Sequence, residues 1–398
     1  MKNSIFLLVF LLLASSININ SQWVQMNNGM GNPTVRSLAF SGGNIFAGTI
    51  ERSIYLSTNS GTNWTQTFLN HGTVYSLAIN GNYIFAGTTY DVYLSTNNGI
   101  TWTSTGLSRI VISLGVNGKN VFAGTSGNGV FVSTNNGSNW TYAGLGSLNV
   151  LSLAVNSNNV FAGTSPNGVY LSTNNGANWI QTSLNNRSIY SLAVNGNNVY
   201  AGTSGYGVYQ STNNGITWTQ LFNGGFISAL TVNGNNIFAG SHQYGVYMST
   251  NNGANWMYRN EGLPVNTYVY AFCIFNNYIF AGTSINTTGS GVYRRPLGEL
   301  VGIKPISSEI PKEFSLEQNY PNPFNPTTHF EFRIADFGFV KLVVFDVLGR
   351  KIETIVNEQL KSGTYEADFD GTNYPSGVYY YKLTSGDFTD AKKMVLIK

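Results

Sequence analysis

The chain has 398 residues, of which only 9% are charged, with a formal net charge of +3, 45 glycines and a single cysteine. That length predicts more than one domain. The few bases are scattered rather than clustered, which excludes the basic stripe of a nucleic-acid-binding protein.

The first segment reads as an export signal. Lys2, an apolar run over residues 5–13 and the small residues Ala14, Ser15 and Ser16 fit a secretory signal peptide spanning residues 1–21. The run is shorter than the roughly 20 residues a membrane span needs. No cysteine stands there to accept a lipid, and the mature chain has no long apolar segment, so no transmembrane span is expected.

From residue 22 to about 295 the chain repeats itself. Ile45-Phe46-Ala47-Gly48-Thr49 returns six more times, at residues 84–88, 121–125, 160–164, 199–203, 237–241 and 279–283. A second phrase, Ser-Thr-Asn-x-Gly-x-x-Trp, runs in step and ends at Trp64, Trp102, Trp140, Trp179, Trp218 and Trp256. A fixed period of this length marks a repeat architecture. Each repeat carries four short β-branched and aromatic runs bounded by Asn, Gly, Ser or Pro, which read as strands and turns. Four strands in about 40 residues make one propeller blade. The Ala-Gly pair leaves room for neighbouring sheets to approach, since Gly is otherwise unfavourable inside a strand. Each tryptophan offers about 150–250 Å² to bury between blades.

Closure follows from the count. Seven copies of the first phrase stand against six tryptophan strands, and the seventh copy leads through Val292 and Tyr293 to Arg294, Arg295 and Pro296 with no tryptophan. The missing strand lies at the other end: Trp23-Val24-Gln25-Met26 looks like Trp64-Thr65-Gln66-Thr67. The expectation is an all-β, seven-bladed propeller with four-stranded blades, its N-terminal strand completing the last one so that no edge is left unpaired.

The second phrase resembles the Asp-box of sialidases, sortilin-like receptors and xyloglucanase-type propellers, and the repeat style resembles photosystem II assembly propellers. The usual Asp is replaced by Asn59, Asn97, Asn135, Asn174, Asn213 and Asn251. The resemblance implies a structural turn on the face away from the ligand. Without carboxylates these turns lack the ligands a calcium site requires, and no metal or other cofactor is expected.

If the strands run outward from the axis, the opposite face receives the loops that vary between copies. The loops after Ala-Gly-Thr hold Glu51, Arg52, Tyr90, Asp91, Tyr206, His242 and Tyr244; the loops after the tryptophan strand hold His71, Arg109, Arg187, Arg259 and Glu261. Arg36 stands where other copies have Tyr75, Tyr190 and Tyr270. Between residues 22 and 296 only three acids, Glu51, Asp91 and Glu261, accompany eight bases, and nearly all of this charge falls in the loops of one face, which points to ligand binding. Glycoside hydrolysis usually needs two carboxylates about 5–10 Å apart. Glu51 and Asp91 occupy equivalent loops of adjacent blades, which keeps a polysaccharide-active hydrolase or lyase as the alternative. No nucleophile elbow, zinc signature or phosphate loop appears. Cys273 lies in an apolar strand and reads as a small buried residue.

Periodicity stops at Pro296. Residues 296–312, with Pro305, Ser307, Ser308 and Pro311, read as a linker, and residues 313–398 carry about seven short strands, which fit a small Ig-like β-sandwich. This segment opens on Tyr320-Pro321-Asn322-Pro323-Phe324. It continues through Asp346-Val347-Leu348-Gly349-Arg350 to Ser376-Gly377-Val378-Tyr379, and closes on Lys392-Lys393-Met394-Val395-Leu396. In that order these phrases resemble the C-terminal sorting domain of the type IX secretion system. The resemblance implies export across the outer membrane of a Bacteroidetes-like bacterium, with the secretion machinery as a partner and release or attachment at the cell surface. Extracellular protein or polysaccharide is the expected ligand of the propeller.

Overall fold

The computed structural model describes residues 22–51, 54–67, 72–285, 289–300, 303–307, 309–371 and 374–398. Residues 1–21, expected to be a signal peptide, and Arg52 and His71 lie outside the described residues. Among the described residues there are nine four-stranded sheets, seven of which form the propeller. In the first blade the strands are Val35–Ser41, Asn44–Thr49, Ile54–Ser57 and Thr65–Gln66, from the axis outward, and every neighbouring pair is antiparallel. The seventh blade is built from Tyr268–Phe275, Tyr278–Ser284 and Gly291–Pro296, and its outer strand is Val24–Gln25 from the start of the propeller, with Val24 opposite Arg294 and Gln25 opposite Tyr293. Trp23 is 2% exposed and its Nε1 donates to the Arg259 carbonyl at 2.6 Å, so the closing strand is anchored on the sixth blade as well as the seventh.

Blade contacts explain the repeated letters. A Cβ on Gly48 would come within 2.5 Å of the Val74 side chain of the next blade, so only glycine lets the two sheets approach this closely. In five blades the buried ring of the second strand meets the box turn of the following blade: a Cβ on Gly99, whose φ is +79°, would stand 2.8 Å from the Phe46 ring. That glycine is thus demanded both by the left-handed backbone and by the packing. Four of the box tryptophans also bond across to the neighbouring blade, while Trp102 and Trp256 bond the glycine carbonyl of their own turn. Trp64 Nε1 donates to the Met26 carbonyl at 2.7 Å and Trp179 Nε1 to the Ala143 carbonyl at 2.7 Å, each bond crossing to the neighbouring blade. Around the inner end, Asn156 Nδ2 donates to the Gly196 carbonyl at 2.6 Å and Asn195 Nδ2 to the Gly234 carbonyl at 2.9 Å.

The two remaining sheets form the C-terminal sandwich. One has the order Ile303–Ser307, Gly363–Asp370, Thr327–Ile334, Ser315–Leu316; the other has Lys351–Leu360, Gly338–Asp346, Gly377–Ser385, Phe388–Leu396. The segment expected to be linker is therefore only partly so. After the short helix Leu297–Leu300, Ile303–Ser307 is an edge strand of the sandwich. Pro305 does not prevent this, because an edge strand tolerates a residue with no amide to donate. Buried residues run continuously from Trp23 and Tyr293 through Leu297 and Leu300 to Leu316 and Phe324.

Candidate ligand-binding site

At the start of every innermost strand the register slips by one residue. The shifts fall between Val35 and Ser37, Val74 and Ser76, Val111 and Ser113, Val150 and Ser152, Ile189 and Ser191, Ile227 and Ala229, and Val269 and Ala271. A β-bulge re-aims the side chain of its extra residue. Here the extra residues are Arg36, Tyr75, Ile112, Leu151, Tyr190, Ser228 and Tyr270, one per blade. All seven line one axial cup of about 150 Å³, joined by Phe226 and His242.

Half of the cup is an aromatic crescent. The Tyr190 and Phe226 ring centres are 4.4 Å apart, Phe226 stacks on His242 at 4.4 Å and 22°, and His242 meets Tyr268 edge-on at 4.4 Å and Tyr270 at 5.5 Å. The Arg36 guanidinium lies 4.2 Å from the Tyr270 ring centre and 6.0 Å from that of Tyr75. Ile112 and Leu151 supply an apolar wall opposite, and the Ser228 hydroxyl is engaged with the Val269 carbonyl at 2.6 Å. Burial, then the charge of Arg36, holds the His242 imidazole below its ordinary pKa, so near neutral pH it is an uncharged donor and acceptor.

Of the residues singled out from the sequence, Arg36 and His242 line this cup. None of the others described lines it, and Arg259 and Glu261 lie at the outer closing strand beside Trp23. Arg187 stacks 3.7 Å from the ring centre of exposed Tyr206, and its Nε donates to the Tyr209 hydroxyl at 3.4 Å. Tyr90 and Tyr244 are exposed, and Arg109 Nη1 donates to the Ser108 carbonyl at 2.9 Å. The carboxylates are occupied. Asp91 is 4% exposed and accepts from the amides of Val92 at 2.7 Å, Gly106 at 3.0 Å and Ser108 at 3.2 Å, and from the Ser104 hydroxyl. It caps its own loop. Glu51 accepts from the Thr34 amide at 2.9 Å. Glu261 pairs with Arg295 Nη1 at 2.6 Å beside the closing strand, while Arg259 is half-buried with its Nε unpartnered. Burial raises the Glu261 carboxyl, and the Arg295 hydrogen bond with the charges of Arg295 and Arg259 outweighs it, leaving the pKa below 4.5.

The turns on the opposite end carry no such variety. In each, a serine accepts from the glycine amide four residues on and donates to the asparagine, as Ser172 does with Gly176 and Asn174 at 2.8 and 2.9 Å. The asparagine Oδ1 then accepts from the amide four residues further, Asn178 for Asn174 at 2.9 Å. One oxygen suffices, so Asn replaces Asp without loss.

In the sandwich the quoted phrases are structural joints. Phe324 is 2% exposed, and its amide and carbonyl bond Val395 and Ile397 of the C-terminal end at 2.9 Å each. Asn322 Oδ1 accepts from the Val395 amide at 2.9 Å, and Asn319 Nδ2 donates to the Pro321 carbonyl at 3.0 Å. Gly349, at φ +75°, closes the hairpin in which Asp346 accepts from the Leu348 and Arg350 amides at 2.9 Å. Gly377 opens the strand carrying Tyr379, whose hydroxyl donates to the Pro375 carbonyl at 2.8 Å, and Met394 is fully buried. Tyr320 and Lys393 are exposed, and Lys392 lies 3.8 Å from Asp390. Among the described residues, His329, Glu366 and Asp368 bring ligand atoms within 4.8 Å of one another on this sandwich, with His329 Nδ1 at 2.6 Å from Asp368; the sequence reading did not mark them.

Residues 318–398 match the model of the secretion system C-terminal sorting domain. The chain carries a type IX sorting domain. The sorting domain routes it to the cell surface or the medium and brings it to the type IX machinery. Residues 160–289 match the DUF6242 β-propeller domain. Among solved structures, PorZ of Porphyromonas gingivalis, described as an essential surface component of the type IX system, is 16% identical with a TM-score of 0.58, covering 93% of this chain and 60% of its own. The chain thus spans about 60% of the length of PorZ. The GH74 enzyme of Niastella koreensis is 20% identical with a TM-score of 0.52, over 67% of this chain and 43% of its own. YCF48 of Cyanidioschyzon merolae is 14% identical with a TM-score of 0.53, over 70% of this chain and 99% of its own. At these identities the likeness is one of fold. No curated protein matches the chain.

Proposed function

We propose that this surface-routed protein is a non-catalytic binding protein whose propeller takes a protein or polysaccharide ligand at the bulge end. The observation that carries the reading is the cup itself: seven structurally equivalent positions present an arginine, three tyrosines, a serine, an isoleucine and a leucine to one concavity. A shaped concavity with a few polar groups is how ligand sites are usually built. The state of the carboxylates supports binding over turnover. Asp91 is buried under four hydrogen bonds, Glu261 is paired, and no carboxylate lines the cup among the described residues. A hydrolase or lyase of the Asp-box propeller type is the competing reading, and GH74 enzymes share the fold.

The test incubates the mature full-length chain with cell-surface polysaccharide and with surface protein extracts, reading retention and product size together. Retention of unaltered ligand, weakened by Tyr270→Ala, is expected. Shortened glycan chains, abolished in a Glu51→Gln, Asp91→Asn double variant that still folds, would replace this reading with the hydrolase.

A further inference from the structure

We propose that the axial cup seats one acidic sugar residue, its carboxylate or sulfate against Arg36 and its ring on the crescent of Tyr190, Phe226, His242 and Tyr270. The proposal rests on the binding reading above and specifies the ligand.

The first observation is an unbalanced charge. Among the described residues no carboxylate pairs with Arg36; Arg109, Arg187 and Arg294 also lack an acidic partner, but of these only Arg36 lines the cup. The fold does not demand this cation. Six blades place Tyr75, Ile112, Leu151, Tyr190, Ser228 and Tyr270 at the equivalent bulge, and none is charged. A half-buried charge carries a desolvation cost that a counter-ion offsets, and here the counter-ion is left for a ligand to bring. The guanidinium carbon lies 4.2 Å from the Tyr270 ring centre and 6.0 Å from that of Tyr75, and its N–H donors make no hydrogen bond with the described residues, which leaves them available for a bidentate oxyanion.

The second observation is a set of idle hydroxyls. The phenols of Tyr75, Tyr190 and Tyr270 make no hydrogen bond with the described residues, and all three line the cup. Three phenols, a neutral imidazole and aromatic faces suit a hydroxylated ring. An acidic peptide side chain would use the arginine and leave the phenols and the crescent without work. Size agrees, because a cavity of about 150 Å³ accepts a six-membered ring.

Calorimetric titration of the mature full-length chain tests this with four probes: oligogalacturonate, a sulfated galactan oligomer, a neutral mannan oligomer and oligoglutamate. Thermal melts of every variant confirm folding. Binding of galacturonate or of the sulfated oligomer is expected, and the one that binds identifies the acid. Arg36→Leu should weaken that binding about 10–100-fold, as loss of a charge-assisted contact does. Arg36→Lys should cost less, because the charge remains. If Arg36→Leu does not fold, Arg36→Gln replaces it, with the same loss expected. Failure of both acidic oligomers to bind overturns the proposal. So does equal binding of the neutral oligomer that is indifferent to Arg36, although the binding reading then stands. Binding of oligoglutamate alone overturns it in favour of a peptide. Shortened oligomers recovered from the cell would overturn the binding reading itself.

Discussion

The two ends of the propeller obey different rules. At the tryptophan-box end, six turns repeat one hydrogen-bond pattern, and the serine-to-glycine-amide distance is 2.8 or 2.9 Å in all six. At the bulge end, seven equally regular backbone slips carry Arg36, Tyr75, Ile112, Leu151, Tyr190, Ser228 and Tyr270. The backbone is periodic at both ends, but the side chains are periodic only where the fold consumes them. Variation is confined to positions whose packing the ring does not need, and those positions share one concavity.

Substitutions can break this contrast. The largest effect is expected where the ring closes: Trp23→Ala removes a ring that is 2% exposed and a 2.6 Å bond to the sixth blade, and should cost about 3–5 kcal/mol in urea denaturation. Next, Ser172→Ala in a single box leaves the buried Gly176 amide without its acceptor and should cost about 1–3 kcal/mol by the same measurement. Tyr270→Ala at the bulge end should cost less than about 1 kcal/mol, because half-buried positions outside the core are tolerant, yet it should weaken ligand binding measurably. A bulge-end substitution as costly to stability as the box substitution would remove the contrast.

The smallest expected effect is one of pH. The folded Glu261 carboxyl titrates below its ordinary value of 4.5. The unfolded chain therefore takes up a proton first on acidification, and the stability contributed by the Arg295 pair is present above about pH 4.5 and lost as pH falls through the folded pKa. Melting temperatures recorded on both sides of that window should fall more steeply for the parent than for Glu261→Gln. Parallel slopes would show that the ion pair at the closing strand contributes nothing, as exposed pairs often do.

Much of the fold was legible because repetition makes counting possible. Seven aromatic-Ala-Gly phrases, six with Phe and one with Tyr200, stand against six box tryptophans, and with Trp23 spare they point to the closed ring. Asn in the box read as a turn because its carbonyl oxygen does what a carboxylate oxygen does there. The cup was half legible. Arg36 drew notice against Tyr75, Tyr190 and Tyr270, but Ile112, Leu151 and Ser228 looked like ordinary strand residues, since alternation alone cannot show that a bulge turns them to the axis. Asp91 was misleading for a related reason. It replaces the glycine that precedes the third strand at Gly129, Gly168 and Gly207, in a loop one residue shorter than that of the third blade. Its carboxylate folds inward to cap amides instead of facing solvent. Pro305 suggested a linker because proline is scarce inside sheets, and the exception is the edge position that it occupies.

The central claim is that recognition belongs to the bulge end. Hydroxyl-radical footprinting of the full-length chain, with and without saturating oligogalacturonate and read by peptide mass spectrometry, tests it most directly. The account predicts protection concentrated at Tyr75, Tyr190, His242 and Tyr270, with Ile100, Ile180 and Ile216 at the box end unchanged. Protection at those isoleucines or on the sorting domain, with the cup residues unchanged, would contradict it.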